Sequence, residues 1–380
     1  MTTMRHWSGT DGTGRWAKEA AEIAAILAER AARHDRDGDF VAEEVQMLRE
    51  RGLTSMLVPE DLGGGGATYA ETCAVLAELA HGCPATALTL SMHTHLVAAQ
   101  VWRLRHDLPA PVLGRVANEG ILLVSTGASD WVDSEGAAAQ VDGGFQVSGR
   151  KSPSSGCPAG DVLVSSARWD DGSGEPKVVH FSVPFTADGV TIEETWDTMG
   201  MRATGSHTVV LEEVFVPEAA VSLTRPAGRW HPIFDVVVGA AMPLIMSVYV
   251  GVAEAAAERA IELVRSRSDR AVAPALVGRM LNRLHEAQDA LAWMVDANDD
   301  LRFANTDELA AAMLSRKTTV AESAVEAVRL AMEAAGGLGF STGGGIERLY
   351  RDVHGGLYHP LPAAKQELFS GSVALTGEPV

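Results

Sequence analysis

From Arg15 the apolar positions Trp16, Ala20, Ile23 and Leu27 fall on one face of a 3.6-residue repeat, which predicts an amphipathic helix. A second helix is expected from Asp39 as N-cap to a stop at Gly52. After the turn-rich VPEDLGGGG the pattern predicts a helix over Tyr69 to Ala80. Beyond Pro84 a long one runs through ATALTLSMHTHLVAAQVWRLR, so the first 115 residues read as all-helical. From Ile121 to Val216 short apolar runs (ILLV, VLVSSA, VVHFSV, TVVLEEVFV) alternate with clusters of Gly, Asp and Ser, the pattern of a β domain. Helical periodicity returns near Phe234 in three long stretches ending near Arg267, Asp299 and Ala335, with Gly336, Gly337 and Gly339 as stop signals. The expected class is α+β, mainly α: a helical domain over 1–118, a β domain over 119–230 and a helical bundle over 231–380, packed without flexible tethers.

A chain of 380 residues has ample length for two or three domains at roughly 100 to 200 residues each. Its 31 Lys+Arg against 50 Asp+Glu give a net charge of −19, which repels phosphate backbones and anionic membranes, so neither nucleic acid nor membrane is an expected partner. Cys73, Cys83 and Cys157 are an odd set without CxxC spacing, which fits a reducing compartment and argues against structural zinc. With no apolar h-region at the N-terminus and no uninterrupted apolar run near 18 residues, a cytoplasmic protein is expected.

Several short motifs carry less than their spelling suggests. Gly63 to Gly66 lack the Lys-Ser/Thr of a phosphate loop and read as a turn. Gly339-Phe340-Ser341-Thr342-Gly343 spells GxSxG, but a nucleophile elbow needs a preceding strand, and here the preceding segment is helical. His93 and His95, two apart on a helix, point about 200° apart, so they cannot grip one metal and at most one faces a pocket. No metal site is expected. No GxGxxG closes a strand-to-helix turn, so a redox cofactor must bind in another way than nicotinamide usually does.

Three segments, VPEDLGGGGATYAE, DTMGMRATGSHTVVLEEVFVPE and AAGGLGFSTGGGIERLYRDV, resemble in order and spacing the acyl-CoA dehydrogenase superfamily, over nearly the whole chain. The resemblance implies an N-terminal helical domain, a middle β-barrel and a C-terminal four-helix bundle. It implies a flavin, FAD or FMN, between barrel and bundle, its adenosine half reaching a neighbouring subunit of a homo-oligomer, most simply a tetramer. VSTGASD stands where the family has TEPxxGSD, which leaves Ser125 as the hydroxyl on the flavin edge and Ser129-Asp130 as the tail. In GRKSPSSG the family's Trp and Thr beside the flavin are matched by Pro153 and Ser155, with Ser154 adjoining. Arg267 matches the arginine that meets the pyrophosphate, a role suited to a fixed guanidinium fork. Gly336 and Gly337 match the pair where backbone approaches that pyrophosphate, and the family's preceding Gln is Glu333.

The family's base is replaced. The glutamate expected about nine residues after the Arg of Arg351-Asp352 falls on Pro360, and the alternative position on the first bundle helix falls near Ala241. Neither can take the α-proton of a thioester. The segment Tyr358-His359-Pro360-Leu361-Pro362-Ala363-Ala364-Lys365 instead resembles that of the class D flavin monooxygenases of the same fold. The resemblance implies that His359, with Ser155 of Ser154-Ser155-Gly156, protects a flavin C4a-hydroperoxide; a proton donor or acceptor and exclusion of water suit that task. His95 is the further catalytic candidate. The resulting expectation is a two-component oxygenase of an apolar or aromatic small molecule, supplied by a separate NAD(P)H-dependent flavin reductase. The alternatives are an acyl-CoA or acyl-carrier dehydrogenase with a displaced base, and a non-catalytic flavoprotein module. The pocket should be lined by the His93/His95 helix, the loop around Trp131 and the first bundle helix from Phe234 to Met246.

Overall fold

The computed structural model describes residues 14–127, 131–266 and 272–379. Its N-terminal part comprises α1 (Arg15–Asp37), α2 (Ala42–Glu50), α3 (Tyr69–Gly82), α4 (Pro84–Arg105) and α5 (Val112–Glu119). Trp16, Ala20, Ile23 and Leu27 are the buried stripe of α1, which ends at Gly38, a left-handed residue (φ 71°) whose N–H returns to the His34 carbonyl. Asp39 does not cap α2. Its carboxylate bonds His34 Nδ1 at 3.0 Å, and the helix begins after Val41. Thr68 and Glu71 form a capping box at the start of α3, which the apolar pattern did not flag. Pro84 opens α4, where its missing N–H costs nothing.

The middle part contains β1 (Leu123–Ser125), β2 (Ala137–Val141), β3 (Gly144–Lys151), β4 (Val162–Trp169), β5 (Lys177–Pro184), β6 (Val190–Glu193), β7 (Thr208–Pro217) and β8 (Val221–Pro226). The barrel inferred from resemblance is realised as one eight-stranded sheet, ordered β6-β7-β3-β2-β4-β5-β8, with β1 paired in parallel to β4. Alternating inward residues, among them Phe145, Val147, Leu163, Phe181, Val209 and Leu211, give this sheet its own core.

The C-terminal part is α6 (Ile233–Arg265), α7 (Ala273–Ala297), α8 (Asp307–Ala335), the short α9 (Gly337–Phe340), α10 (Ile346–Val353) and α11 (Ala363–Thr376). Ser341 of the GxSxG string follows α9, with no strand before it. The N-terminal helices and the bundle share a single core running from Trp16 to Val373, because α6 packs at once against α3, α4 and α8. That helix is apolar all round. An 18-residue window of it has a mean hydropathy of 2.1, long and apolar enough by composition to cross a membrane, and 94% of that window is buried inside the fold.

Candidate active site

Helix α4 supplies two histidines with opposite duties. His93 Nε2 lies 2.8 Å from the Thr54 carbonyl, and its Nδ1 accepts the Leu123 N–H at 2.9 Å, so one nitrogen ties α4 to the turn after α2 and the other ties it to β1. Burial pushes its pKa down to about 4 and keeps it neutral. His95 points the other way. It is buried, its Nδ1 makes no hydrogen bond of ordinary geometry among the described residues, and burial again holds it near 4. An unpaired polar atom in that position is costly unless a ligand completes it. At the end of β1 the hydroxyl of Ser125 is likewise buried and without a partner among the described residues.

The turn after β3 is bound to the segment before β7: Ser154 N–H donates to the His207 carbonyl at 3.1 Å, and Gly156 N–H to the Thr204 carbonyl at 2.9 Å. It rests on α4, where a Cβ at Gly156 would come 3.0 Å from Thr89 Cγ2. Ser154 is fully buried and gives its hydroxyl proton to the Lys151 carbonyl at 3.0 Å, which corrects its expected place at the cofactor: it holds the turn. Half-buried Ser155 lies 2.8 Å from Ser206 Oγ, which lies 2.7 Å from Thr204 Oγ1; Thr204 in turn reaches the Met201 carbonyl at 3.0 Å. Met201 is itself pinned in a left-handed conformation (φ 53°). Its N–H donates to Asp352 Oδ1 at 2.5 Å and its carbonyl accepts Trp196 Nε1–H at 3.0 Å. Burial raises the Asp352 acid to about 6.

His359 stands in the loop before α11, half-buried, with Nε2 2.7 Å from the Tyr249 hydroxyl of α6. Burial, then the charge of Lys317 and the nearby His95, push His359 down to about 3, so the ring is neutral at ordinary pH. Tyr249 is fully buried, and burial raises its hydroxyl well above 10. The phenol can donate or accept; it is neutral and buried, and with no other acceptor for its O–H among the described residues, the arrangement that leaves no phenol proton without a partner is donation to Nε2, which puts the imidazole proton on Nδ1. Gly355 and Gly356 make room for this contact. A Cβ at Gly355 would stand 2.7 Å from the Tyr249 oxygen and 3.4 Å from Met201 Cγ, and one at Gly356 3.2 Å from the tyrosine ring. The hydroxyl line from Ser155 therefore ends at a residue packed against the support of His359.

Lys317 of α8 lies beneath the same loop. Only 1% exposed, it donates to the Leu361 carbonyl at 3.2 Å and has no carboxylate within ion-pair distance among the described residues; burial lowers it to about 8. Tyr249, Lys317, Thr204, Ser206 and the Gly355-Gly356 pair were all missed in the sequence. The usable signal was the stripe Met313, Lys317, Val320, Ala324 on α8, which places a lysine among buried apolar positions.

The structure thus brings His95, His359 and Lys317 together, and connects Ser155 to them through Met201. Ser129 and Arg267 lie outside the described residues. Gly336 and Gly337 are elsewhere: at about 1.5 Å per residue, the run of α8 from Lys317 to Gly336 spans roughly 28 Å. Gly337 has open space where a Cβ would be. Glu333 is paired with Arg329 at 3.0 Å. In the expected pocket lining, Trp131 stacks on Phe234 with ring centres 5.5 Å apart, and Trp230 packs on Phe369 at 4.5 Å. Pro153, in the place of the family's Trp, is exposed.

FAD or FMN fits this site: its ring needs edge hydrogen bonds, and the orphaned Ser125 hydroxyl together with half-buried Ser155 offers them. Among the described residues no carboxylate bonds to Ser155, His95 or His359. The arrangement can donate a hydrogen bond from a neutral imidazole, and among the described residues no carboxylate is fixed on it.

The model for the acyl-CoA dehydrogenase N-terminal domain matches residues 16–106, and that for the acyl-CoA dehydrogenase C-terminal domain matches residues 244–361. A putative acyl-CoA dehydrogenase of Bacillus subtilis, YdbM, is 30% identical over 92% of this chain and 94% of its own length. The L-evernosamine nitrososynthase of a Micromonospora species is 31% identical over 89% of this chain and 84% of its own. Among solved structures, KijD3 in complex with FMN and a dTDP-linked amino-keto sugar superposes with a TM-score of 0.87 at 26% identity, covering 97% of this chain and 95% of that one.

Proposed function

We propose that this chain, a flavin-dependent oxidoreductase that belongs to the acyl-CoA dehydrogenase family, works as a two-component monooxygenase on an apolar or aromatic small molecule. The observation that carries the reading is neutral His359, held by Tyr249 beside Pro360, where a dehydrogenase of this family needs a carboxylate. Reduced flavin, delivered by a separate NAD(P)H-dependent reductase, supplies the two electrons for dioxygen. Ser125 and Ser155 hold its ring. His359 offers Nδ1–H as a hydrogen-bond donor, Tyr249 orients the ring and favours that tautomer, and buried Lys317 anchors the loop through Leu361. The stacked Trp131 and Phe234 and the apolar α6 favour an apolar substrate, with unpaired His95 Nδ1 as a polar anchor.

The family's dehydrogenase members, and the resemblance to YdbM in particular, favour a second reading: an acyl-thioester dehydrogenase with a displaced base. Two buried acids near the site are raised to about 6: Asp352, whose Oδ1 is engaged by the Met201 N–H, and Asp235, whose Oδ1 accepts the Trp230 Nε1–H. One experiment separates the two. Product formation from NADH that requires both an added reductase and oxygen is the expected result. Anaerobic reduction of bound flavin by an acyl thioester would replace the monooxygenase reading.

A homotetramer in a reducing cytoplasm belongs to the same proposal. Exposed Phe340 (82%) and Leu375 (87%), with Leu338 and Leu368, offer apolar surface for copies of the chain, and Cys73, Cys83 and Cys157 are all free and buried. Light scattering giving the 40.1 kDa monomer mass would contradict the tetramer.

A further inference from the structure

Thr204, Ser206 and Ser155 make a line of three hydroxyls, each with one proton to give. Thr204 and Ser206 are buried, so their protons must go to one another or to the protein; Ser155 alone opens toward the site. Two orders are available. In the first, Thr204 donates to the Met201 carbonyl, Ser206 to Thr204 and Ser155 to Ser206. Ser155 then presents only lone pairs to a ligand. In the second, Thr204 donates to Ser206 and Ser206 to Ser155, whose O–H points outward, and the Met201 carbonyl loses this donor. The first order makes one more hydrogen bond within the protein.

We propose that Thr204 and Ser206 fix Ser155 as a hydrogen-bond acceptor and thereby make the site selective for the oxidation state of the flavin. Reduction by two electrons and a proton turns a bare ring nitrogen of the isoalloxazine into an N–H. An acceptor-only serine facing that nitrogen binds the reduced ring and repels the lone pair of the oxidised one. The inference rests on the reading of Ser155 as a flavin contact; Thr204 and Ser206 touch no ligand and act as positioning residues.

Anaerobic titrations of the full chain with FMN and with dithionite-reduced FMN test it, in wild type, Thr204→Val and Ser206→Ala. Wild type should bind the reduced form more tightly. In Thr204→Val, Ser206 has no hydroxyl to donate to and turns toward Ser155, which is then free to donate outward. In Ser206→Ala, Ser155 loses its acceptor and does the same. Either change should cut the ratio of oxidised to reduced dissociation constants about tenfold, chiefly by tightening the oxidised complex. A purely structural role would weaken both redox forms together and leave the ratio alone. A ratio unchanged in both variants overturns the proposal while the flavin reading stands. Failure of both redox forms to bind wild type would overturn the flavin reading and this inference with it.

Discussion

Tyr249 and His359, 110 residues apart in sequence, meet through a 2.7 Å hydrogen bond that spends the Nε2 of the imidazole on the phenol. The bond favours one imidazole tautomer, and hence sets which atom can donate a hydrogen bond. Tyr249→Phe keeps the ring that packs on Gly355 and Gly356 but removes the donor. Flavin affinity should be unchanged, while product formed per NADH should fall about fivefold as peroxide rises, in keeping with about 1 kcal/mol for one hydrogen bond. Parallel assays of product and peroxide check this; unaltered coupling would show that the tautomer is set by something else.

His359→Ala removes the imidazole and its hydrogen-bond donor altogether. Coupled product should drop about a hundredfold or more, the lower range for loss of a general acid or base. Flavin binding should persist, since Ser125 and Ser155 are untouched. Retention of full coupling would leave the monooxygenase reading without its central residue.

Five histidines are pushed down from 6.5: His93 and His95 to about 4, His180 and His359 to about 3, and His231 as well, each first by burial. Between pH 6.5 and 4 the unfolded chain therefore binds more protons at these groups than the folded one, and stability rises with pH through that window. Asp235 and Asp352, raised to about 6 by burial, act in the opposite direction below pH 6. The histidines are the larger set, so the melting temperature should fall steadily from pH 6.5 to 4. A melting temperature that is flat or rising on acidification would contradict the buried neutral assignment.

Lys317→Met removes a buried ammonium without a carboxylate partner among the described residues and replaces it with an apolar chain of similar length. Stability should change little at pH 7, because lost desolvation cost offsets the lost bond to Leu361. The His359 pKa should rise from its depressed value, read by NMR titration of the ring, with Tyr249 and His95 still facing it. Wild type should also gain stability from about pH 8 to 10.5, where the unfolded lysine is protonated and the folded one is not; the variant should lack this gain. An unmoved His359 titration would separate the two residues.

The sequence was most legible where one face is buried. The stripe of α1 and the short strands between Ile121 and Val216 were visible because burial there is periodic. Within the site, motif position pointed to His359 and Ser155, while the residues that orient them were hidden. Tyr249 sits in a helix buried on all sides, where no amphipathic contrast marks it. Thr204 and Ser206 look like ordinary turn residues until Met201 is seen to take the hydrogen bond. Ser154, equally prominent in the motif, proved to face inward. The difference is tertiary: direction and partner depend on segments far away in the chain.

Because α6 fills the space between α3, α4 and α8, the first and last thirds of the chain form one cooperative body, and the sheet with its separate core is in effect an insertion into it. Cutting the chain between the N-terminal helices and β1 would yield no independent module: α3 and α4 would be left with the apolar faces that α6 now covers. The sheet, in contrast, keeps its own core and meets the helices through β1 and the Ser155 turn on α4, the Met201 segment on Asp352 of α10 and Trp131 on Phe234 of α6, so loops away from these contacts can vary without repacking the helices. Divergence of specificity in this architecture is therefore cheapest on the sheet side of that seam.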